Sequence, residues 1–512
     1  MVPLYEWLLQ GEASRWVVDA IVKLFGMVWI HVQPETVAVV IAALIPVLIA
    51  FGLIQAVAGG STYIERKVAA DIQRRVGPNQ CQPSNFLGAV FSEAIERAGR
   101  PNARPGEKLF AQIAAPLVGV FKLLDATLGR WLPGLLIFLA DGIKLIMKED
   151  LVPAAADKPM FKLAPTIVLA SAFGALAALP YSDRFYIADF NIGVFYIAAI
   201  TSIEAIGILM AGWASNNKWA LLGGMRSAAQ IVSYEIPVGL ALLTGIVISG
   251  TMSMQGMTVA QFGFDGAGWS EGWAWNWNVF SSPFMFVLFP VYYLAALAEC
   301  NRTPFDIPEA ESELVAGYHT EYSGMRFAFF FMAEYAMMCV TCAIAVTIFL
   351  GGWSTGIAPL ENWAMQVRPG EINPATGLVA TAPIFSIWGS LMHLAAFLIK
   401  TYALVFVMMW IRWTLPRFRV DQMMTLCWKK LIPLGMSCLV GVSGWMLVRP
   451  YVAEKYGADA LNNATAGISC AVCVLSAIGI IWWFGFKKLS PDEQKSRKLL
   501  VEGNVIAQGT KF

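Results

Sequence analysis

The chain of 512 residues is 57% hydrophobic and only 14% charged, and its mean hydropathy is +0.60. Soluble domains carry about 25% charged residues, so this composition excludes an ordinary water-soluble enzyme. Runs of about 20 apolar residues, the length a helix needs to cross a hydrocarbon layer of roughly 30 Å, recur from end to end and assign the chain to the membrane. A net charge of +1 without a dominant basic face argues against nucleic acid as a partner.

In chain order, the N-terminus lacks a basic segment followed by a small-residue cleavage site, so no removable signal peptide is expected. Within an N-terminal segment of residues 1–35, residues 14–32 alternate charged and bulky apolar side chains and read as an amphipathic helix in the membrane interface. Runs that could span follow at about 36–58, 163–180, 190–212, 219–249, 284–300, 325–350, 386–411, 430–449 and 465–486. Only helices and closed barrels satisfy every backbone polar group in lipid, and these runs are too long and continuous for barrel strands. The expected fold is all-α, a polytopic membrane protein of about nine transmembrane helices. A domain of about eight spans covers residues 36–450, a ninth span lies within 451–486, and residues 487–512 form a polar tail.

Residues 80–139 form an insertion on one face. They begin with QCQPSN, pass through the surface turn RAGRPNARPGEK, and continue as LFAQIAAPLVGVFKLLDATLG, where Lys122 and Asp125 interrupt the apolar pattern. Without 18 uninterrupted apolar residues, this stretch reads as an interfacial or protein-packed helix. Lys and Arg set the orientation. They crowd segment 59–162, the connection after the seventh run (Arg412, Arg417, Arg419, Lys429, Lys430) and the start of the tail, whereas 250–282 has none and 351–385 has only Arg368. The positive-inside rule then places 59–162, 213–218, 301–324, 412–429 and the C-terminus in the cytoplasm, with the N-terminus outside. Nineteen Trp residues, many near the ends of the runs, suit an interfacial belt.

Cysteine and histidine carry little signal. Cys339 with Cys342, and Cys470 with Cys473, are spaced CxxC, but inside apolar runs that spacing only puts two small side chains on one helix face. His31, His319 and His393 are too far apart in sequence to suggest metal ligands. There is no Gly-rich dinucleotide fingerprint and no iron–sulfur cysteine run, so the chain has no evident redox centre of its own.

Carboxylates within the runs carry the chemistry. A charged side chain at the bilayer centre costs at least about 2.5–3.5 kcal/mol, and Glu204, Glu235 and Glu334 lie well inside the third, fourth and sixth runs. Ion pairs that hold helices together are one reading, for example Glu235 with Arg226. A proton path is the other, and it is favoured because few basic residues share their depth. The loop AECNRTPFDIPEAESELVAGYHTEY adds Glu299, Asp306, Glu309, Glu311, Glu313 and Glu321 against a single Arg302. An acidic loop is ordinarily just solvated, but here Pro304, Phe305, Ile307, Pro308, Leu314, Val315 and Tyr318 interleave and point to packing. A packed cluster of like charges cannot stay fully ionised and titrates as a group, which suits a proton store or relay. A third element, ERKVAADIQRRVGPN from Glu65 to Asn79, marks a membrane boundary. Snorkelling accounts for its charge but not for both signs occurring beside Gln73 and Arg75.

These segments, together with AGWASNNKWALLGGMRSAAQIVSYE (211–235), the continuation of the loop to GMRFAFFFMAEY, WIRWTLPRFRVDQMMTLCWKKLIPL (410–434) and DGIKLIMKED from Asp141, resemble the H subunit of the proton-pumping NADH-quinone oxidoreductase, respiratory complex I. The resemblance runs in order from about residue 36 to 450. It implies a subunit of an oxidoreductase with no independent catalytic site, no metal and no covalent cofactor. Quinone, either ubiquinone or menaquinone, is the implied substrate, and the iron–sulfur clusters and FMN belong to partner subunits. It places quinone-chamber residues at Glu65, Arg66, Arg75, Arg302, Phe305 and Asp306. Its buried carboxylate path would run through Asp141, Glu204, Glu235, Glu299, Glu309, Glu311, Glu313, Glu321 and Glu334. The implied partners are hydrophilic-arm subunits that carry the terminal cluster and flank the quinone site, small membrane subunits, antiporter-like subunits and lipid, in a bacterial inner membrane. A homologous membrane subunit of an energy-converting hydrogenase or formate hydrogenlyase is the alternative, disfavoured by the complete ERK…RRVGPN segment and acidic loop. The chain departs from the family in the long segments 80–139 and 351–385 and in the extra ninth span.

Overall fold

A computed structural model describes residue 52, residues 59–78, residue 134 and residues 137–262, 272–307, 314–367 and 384–456. Within them the helices are α1 (59–72), α2 (Ile137–Met147), α3 (Lys158–Leu176), α4 (Gly193–Thr201), α5 (Ile203–Ala214), α6 (Lys218–Ser249), α7 (Met254–Ala260), α8 (Pro283–Glu299), α9 (Gly324–Phe349), α10 (Ala358–Ala364), α11 (Ile387–Thr414), α12 (Val420–Leu426) and α13 (Ile432–Tyr456). The class is all-α; one small antiparallel ribbon pairs Met365–Val367 with Ile384–Phe385.

Six helical stretches among the described residues are long and apolar enough to cross a membrane: α3, α4 with α5, α6, α9, α11, and Val420–Val448. The shorter apolar helix α8 joins them. These seven fall on the second to eighth apolar runs of the sequence. The first run (apart from residue 52), the ninth run, the interfacial helix at 14–32, nearly all of the 80–139 insertion and the tail lie outside the described residues. The bundle is built around α9, whose spanning window is 83% buried, against 22–50% for the other five long stretches. Its even apolarity suits a helix surrounded by protein, whereas α11 and α13 expose Trp388, Ile399, Val440 and Leu447 as lipid-facing helices do.

Prolines inside spans remove an N–H and free the carbonyl four residues back, and in lipid that carbonyl needs another donor. Pro165 of α3 frees the Phe161 carbonyl, and the Tyr322 hydroxyl donates to it at 3.2 Å while its ring stacks on Phe161 at 4.1 Å. Pro237 of α6 frees the Ser233 carbonyl, and the Cys427 Sγ lies 3.2 Å from it. Each proline therefore ties a distant segment to its helix. Glycines set the closest approaches: a Cβ at Gly212 of α5 would stand 2.8 Å from the Ala220 carbonyl oxygen of α6, and one at Gly223 would stand 2.6 Å from the Gly317 Cα. Small residues at such crossings let membrane helices pack backbone to backbone.

The connections gather at two ends. One end holds α1, the start of α3, segments 214–218, 299–307 and 314–324, and the α11–α12 connection; Leu151 N donates to Ser323 Oγ at 3.0 Å and Phe418 N to the Pro304 carbonyl at 3.0 Å. The other end holds 177–192, 250–262, 272–282, 350–367 and 384–386, where Ala188 N donates to the Ala177 carbonyl and Ala274 N to the Gly356 carbonyl, each at 3.1 Å. The α6 helix joins the two ends. It starts where Asn217 caps the Trp219 N–H and stops at Gly250, whose φ of 68° reverses the chain.

Candidate functional site

The polypeptide leaves α8 at Glu299 and turns sharply, with Asn301 at φ 50°, a conformation asparagine tolerates better than most residues. The side chain of Gln230 on α6 fixes this turn by donating to the Ala298 and Phe305 carbonyls, at 2.7 and 2.8 Å. Phe305 is fully buried between Tyr234 and Phe418, with ring centroids 5.7 and 5.5 Å away. The turn thereby aims Arg302, 2% exposed, into the bundle.

Arg302 meets Glu334 of α9, its Nη2 3.1 Å from Oε2, and its guanidinium lies 4.4 Å from the centre of the Tyr335 ring. The Tyr335 hydroxyl donates to Glu65 Oε2 at 2.6 Å, and Glu65 also pairs with Arg412 of α11. On the other side, Glu334 Oε1 accepts from the Tyr318 hydroxyl at 3.2 Å and lies 3.4 Å from His319 Nε2. The result is an alternating sequence of charges, Arg412, Glu65, Arg302 and Glu334, strung through two tyrosines and a histidine. Buried charges are tolerated only when paired and hydrogen-bonded, and this sequence pairs each of them. Asp306 lies at its edge, 3.2 Å from Arg417 Nη2.

Deeper in the bundle the carboxylates continue with less compensation. Glu204, 2% exposed, stands within electrostatic reach of Glu299 and Glu334, and Glu299 within reach of Glu235. Glu235 and Glu299 line a cleft of about 530 Å³ with Thr201, Tyr292 and Thr341. Ser202, where the α4–α5 span is interrupted, donates to Glu235.

Of the residues singled out from sequence, Glu65, Arg302, Phe305, Asp306, Glu204, Glu235, Glu299 and Glu334 thus gather in one half of the bundle. Glu321 is close by and accepts from Asn217 Nδ2 at 2.7 Å. Arg66 and Asp141 pair at 2.6 Å, with side chains 49% and 38% exposed. Arg75 is exposed beyond the end of α1. Glu309, Glu311 and Glu313 lie outside the described residues. Cys339 and Cys342 are buried in α9, with Cys342 Sγ 3.7 Å from Met408 Sδ.

Nothing in the sequence marked Tyr335, Arg412, Tyr318, His319 and Gln230 as residues of this site. Their partners lie between 15 and 347 positions away, and no local spacing encodes such pairs. His393 and Lys400 could have been found, since each is an ionisable residue inside an apolar run. At the opposite end they join Glu361 and Asp183.

The fold and this site define a class: a multi-pass helical membrane protein with a chain of buried charges leading inward from one end. Comparison with known proteins narrows the class to a family. The family profile described as NADH dehydrogenase matches residues 125–443. The chain is 47% identical to the NADH-quinone oxidoreductase H subunit of Anaeromyxobacter dehalogenans over 312 residues, 61% of this chain and 71% of that one. It is 37% identical to the H subunit of Bacteroides fragilis over 421 residues, 80% of this chain and 94% of that one. With an H subunit of Solibacter usitatus the identity is 36% over 430 residues, 77% and 94% of the two chains. The chain belongs to the H-subunit family of NADH-quinone oxidoreductase and is a membrane subunit of that oxidoreductase complex, respiratory complex I.

Proposed function

We propose that this subunit forms the membrane wall of the quinone-binding chamber and couples quinone reduction to proton translocation through its buried carboxylates. One observation carries the reading: the charges from Arg412 through Glu65, Arg302 and Glu334 to Glu204, Glu299 and Glu235 form one succession from the bundle end into its interior. Packing alone does not require such a succession. Replacing buried ion pairs by apolar residues of similar volume is often neutral or stabilising, so their presence points to a use.

Quinone becomes quinol by gaining two electrons and two protons. The electrons come from the terminal iron–sulfur cluster of a hydrophilic-arm partner. The protons come through polar side chains of this chain at the turn 301–307. Asn301 supports that placement: it is buried, and its amide makes no hydrogen bond among the described residues, so a ligand or water could engage it. A net negative charge created in the chamber is felt first by Arg302. Weakening the Arg302–Glu334 pair alters the proton affinity of Glu334, and its carboxylate neighbours pass the change toward Glu235 and the antiporter-like subunits. Glu309, Glu311 and Glu313, outside the described residues, are the further acid groups we assign to that path. The orientation follows the lysine and arginine bias, with the Arg302 end in the cytoplasm and the membrane a bacterial inner membrane.

A photoreactive quinone added to the assembled complex tests the chamber. It should label peptides from 59–78 and 299–307, and quinone-site blockers should compete for that label and stop quinone reduction. Labelling confined to other subunits, with activity indifferent to blockers, would contradict the chamber and favour the hydrogenase-type subunit.

A further inference from the structure

The end of the bundle opposite Arg302 holds a second buried charged group that the proposed quinone and proton path does not use. His393 of α11 is wholly buried, with Nε2 2.8 Å from Glu361 Oε2 and Nδ1 3.5 Å from Asp183 Oδ1. Glu361, on α10, is 1% exposed and accepts from Thr355 N at 2.5 Å and Thr355 Oγ1 at 2.6 Å. Asp183, in the 177–192 connection, accepts from Ser182 Oγ at 2.7 Å and Ser390 Oγ at 2.9 Å. Its side chain keeps 11% exposure, and Arg184 Nε lies 3.8 Å away. Two turns deeper on α11, Lys400 Nζ donates to the carbonyls of Leu350 and Gly352 at 2.7 and 3.1 Å and to that of Ser354, within electrostatic reach of Glu361. The other faces around the imidazole are the Trp353 and Phe262 rings.

Neutral amides would suffice to fasten segment 350–361 to the bundle. Four ionisable side chains at one point in a membrane protein are costly and normally mark ion or proton handling. The order also matters. A part-exposed carboxylate, an imidazole and a wholly buried carboxylate stand in line, with one ring nitrogen directed at each acid. We propose that Asp183, His393 and Glu361 form a second proton-exchange site, which connects the aqueous face opposite the quinone end to the interior of the bundle. With a proton on each ring nitrogen, His393 gives its Nε2 proton to Glu361 as that N–H bond breaks and an O–H bond forms; the Asp183 carboxylate then takes a proton from the aqueous face and releases it to the nitrogen left bare. Reorientation of the ring resets it, and no electrons change hands. Lys400 anchors the inner limit as a fixed positive charge that attracts the Glu361 carboxylate.

The inference rests on the reading that the complex translocates protons, and the test separates the two. The assembled complex is reconstituted in vesicles, and quinone-driven proton movement is followed while pH is varied only in the compartment facing Asp183. Asp183→Asn, Glu361→Gln and His393→Gln should each slow proton movement by on the order of 100-fold, as loss of a positioned proton carrier does. They should also flatten its dependence on that pH, and the artificial-acceptor rate should persist as a check on assembly. The two carboxamide variants keep shape and most hydrogen bonds, so they carry the test if His393→Gln does not assemble. Unchanged pumping and an unchanged pH profile in both, with pumping lost in Glu235→Gln, would overturn this inference alone. A wild-type complex that reduces quinone without moving protons would overturn the functional reading and this inference with it.

Discussion

Arg302 is the residue on which the site turns, because it faces Glu334 and the Tyr335 ring at once. Removing one partner of such a buried pair leaves an uncompensated charge and costs about 3–5 kcal/mol. Arg302→Ala should therefore lower the thermal stability of the purified complex and its quinone reductase rate. Arg302→Ala combined with Glu334→Ala should recover part of the stability and none of the rate; stability unaffected by the single substitution would argue against a buried pair. At the other end, burial opposes ionisation of Asp183, but hydrogen bonds from His393, Ser182 and Ser390 outweigh it and hold the carboxyl below its ordinary value of 3.8. A group lowered in the folded state contributes stability that is present above its unfolded value and disappears as pH falls through the folded one. Thermal melts across acidic pH should therefore show a loss of stability below about pH 4 that Asp183→Asn makes shallower. These residue-scale pairings were only half legible in the sequence. Glu204 and Glu334 stood out because a charge within an apolar run needs a reason. Their neighbours did not, because Glu65 and Arg412 are 347 positions apart and only the packing of α1 against α11 introduces them.

At the scale of the element, the helices follow from hydrophobic run length, and the seven runs that fall within the described residues all became helices of the bundle. Connections are where sequence reading weakened. The pair of Arg66 on α1 with Asp141 on α2 spans 75 positions of sequence and follows from no local spacing. Lys400 and His393 were legible in principle, by the same criterion that picked out the glutamates. Close approaches between elements are open to test by substitution. Tyr322→Phe leaves the Phe161 carbonyl freed by Pro165 without its donor, and an unsatisfied buried acceptor costs about 1–3 kcal/mol. The complex carrying it should melt lower, whereas an unchanged melt would mean that another donor replaces the hydroxyl. Gly223→Ala would push a methyl group into Gly317, which opens the turn that presents Tyr318 and His319 to Glu334. Overpacking of this kind costs about 1–3 kcal/mol, and quinone reductase activity should fall more than artificial-acceptor activity.

Across the whole molecule, the two ends carry different chemistry. One gathers the charges that face the proposed quinone chamber; the other holds the His393 group against the Trp353 and Phe262 rings. Helix α9 joins them, with Glu334 well inside it on the side of the first end and its Leu350 cap bound by Lys400 at the other. A cysteine placed at the exposed Trp275 should react with an impermeant thiol reagent from the outer face only, and one at the exposed Arg75 from the cytoplasmic face only. The reverse pattern would invert the orientation drawn from the lysine and arginine bias.

The central claim is that the buried carboxylates of this chain carry the coupling between quinone reduction and proton translocation. Proton uptake per quinone reduced, measured on the reconstituted complex bearing Glu235→Gln, tests it most directly. The substitution preserves size and the contact with Ser202 while removing the titratable group. Quinone-coupled pumping should be abolished while the hydrophilic arm still passes electrons to an artificial acceptor at the wild-type rate. Full pumping at an unchanged ratio in that variant would contradict the account.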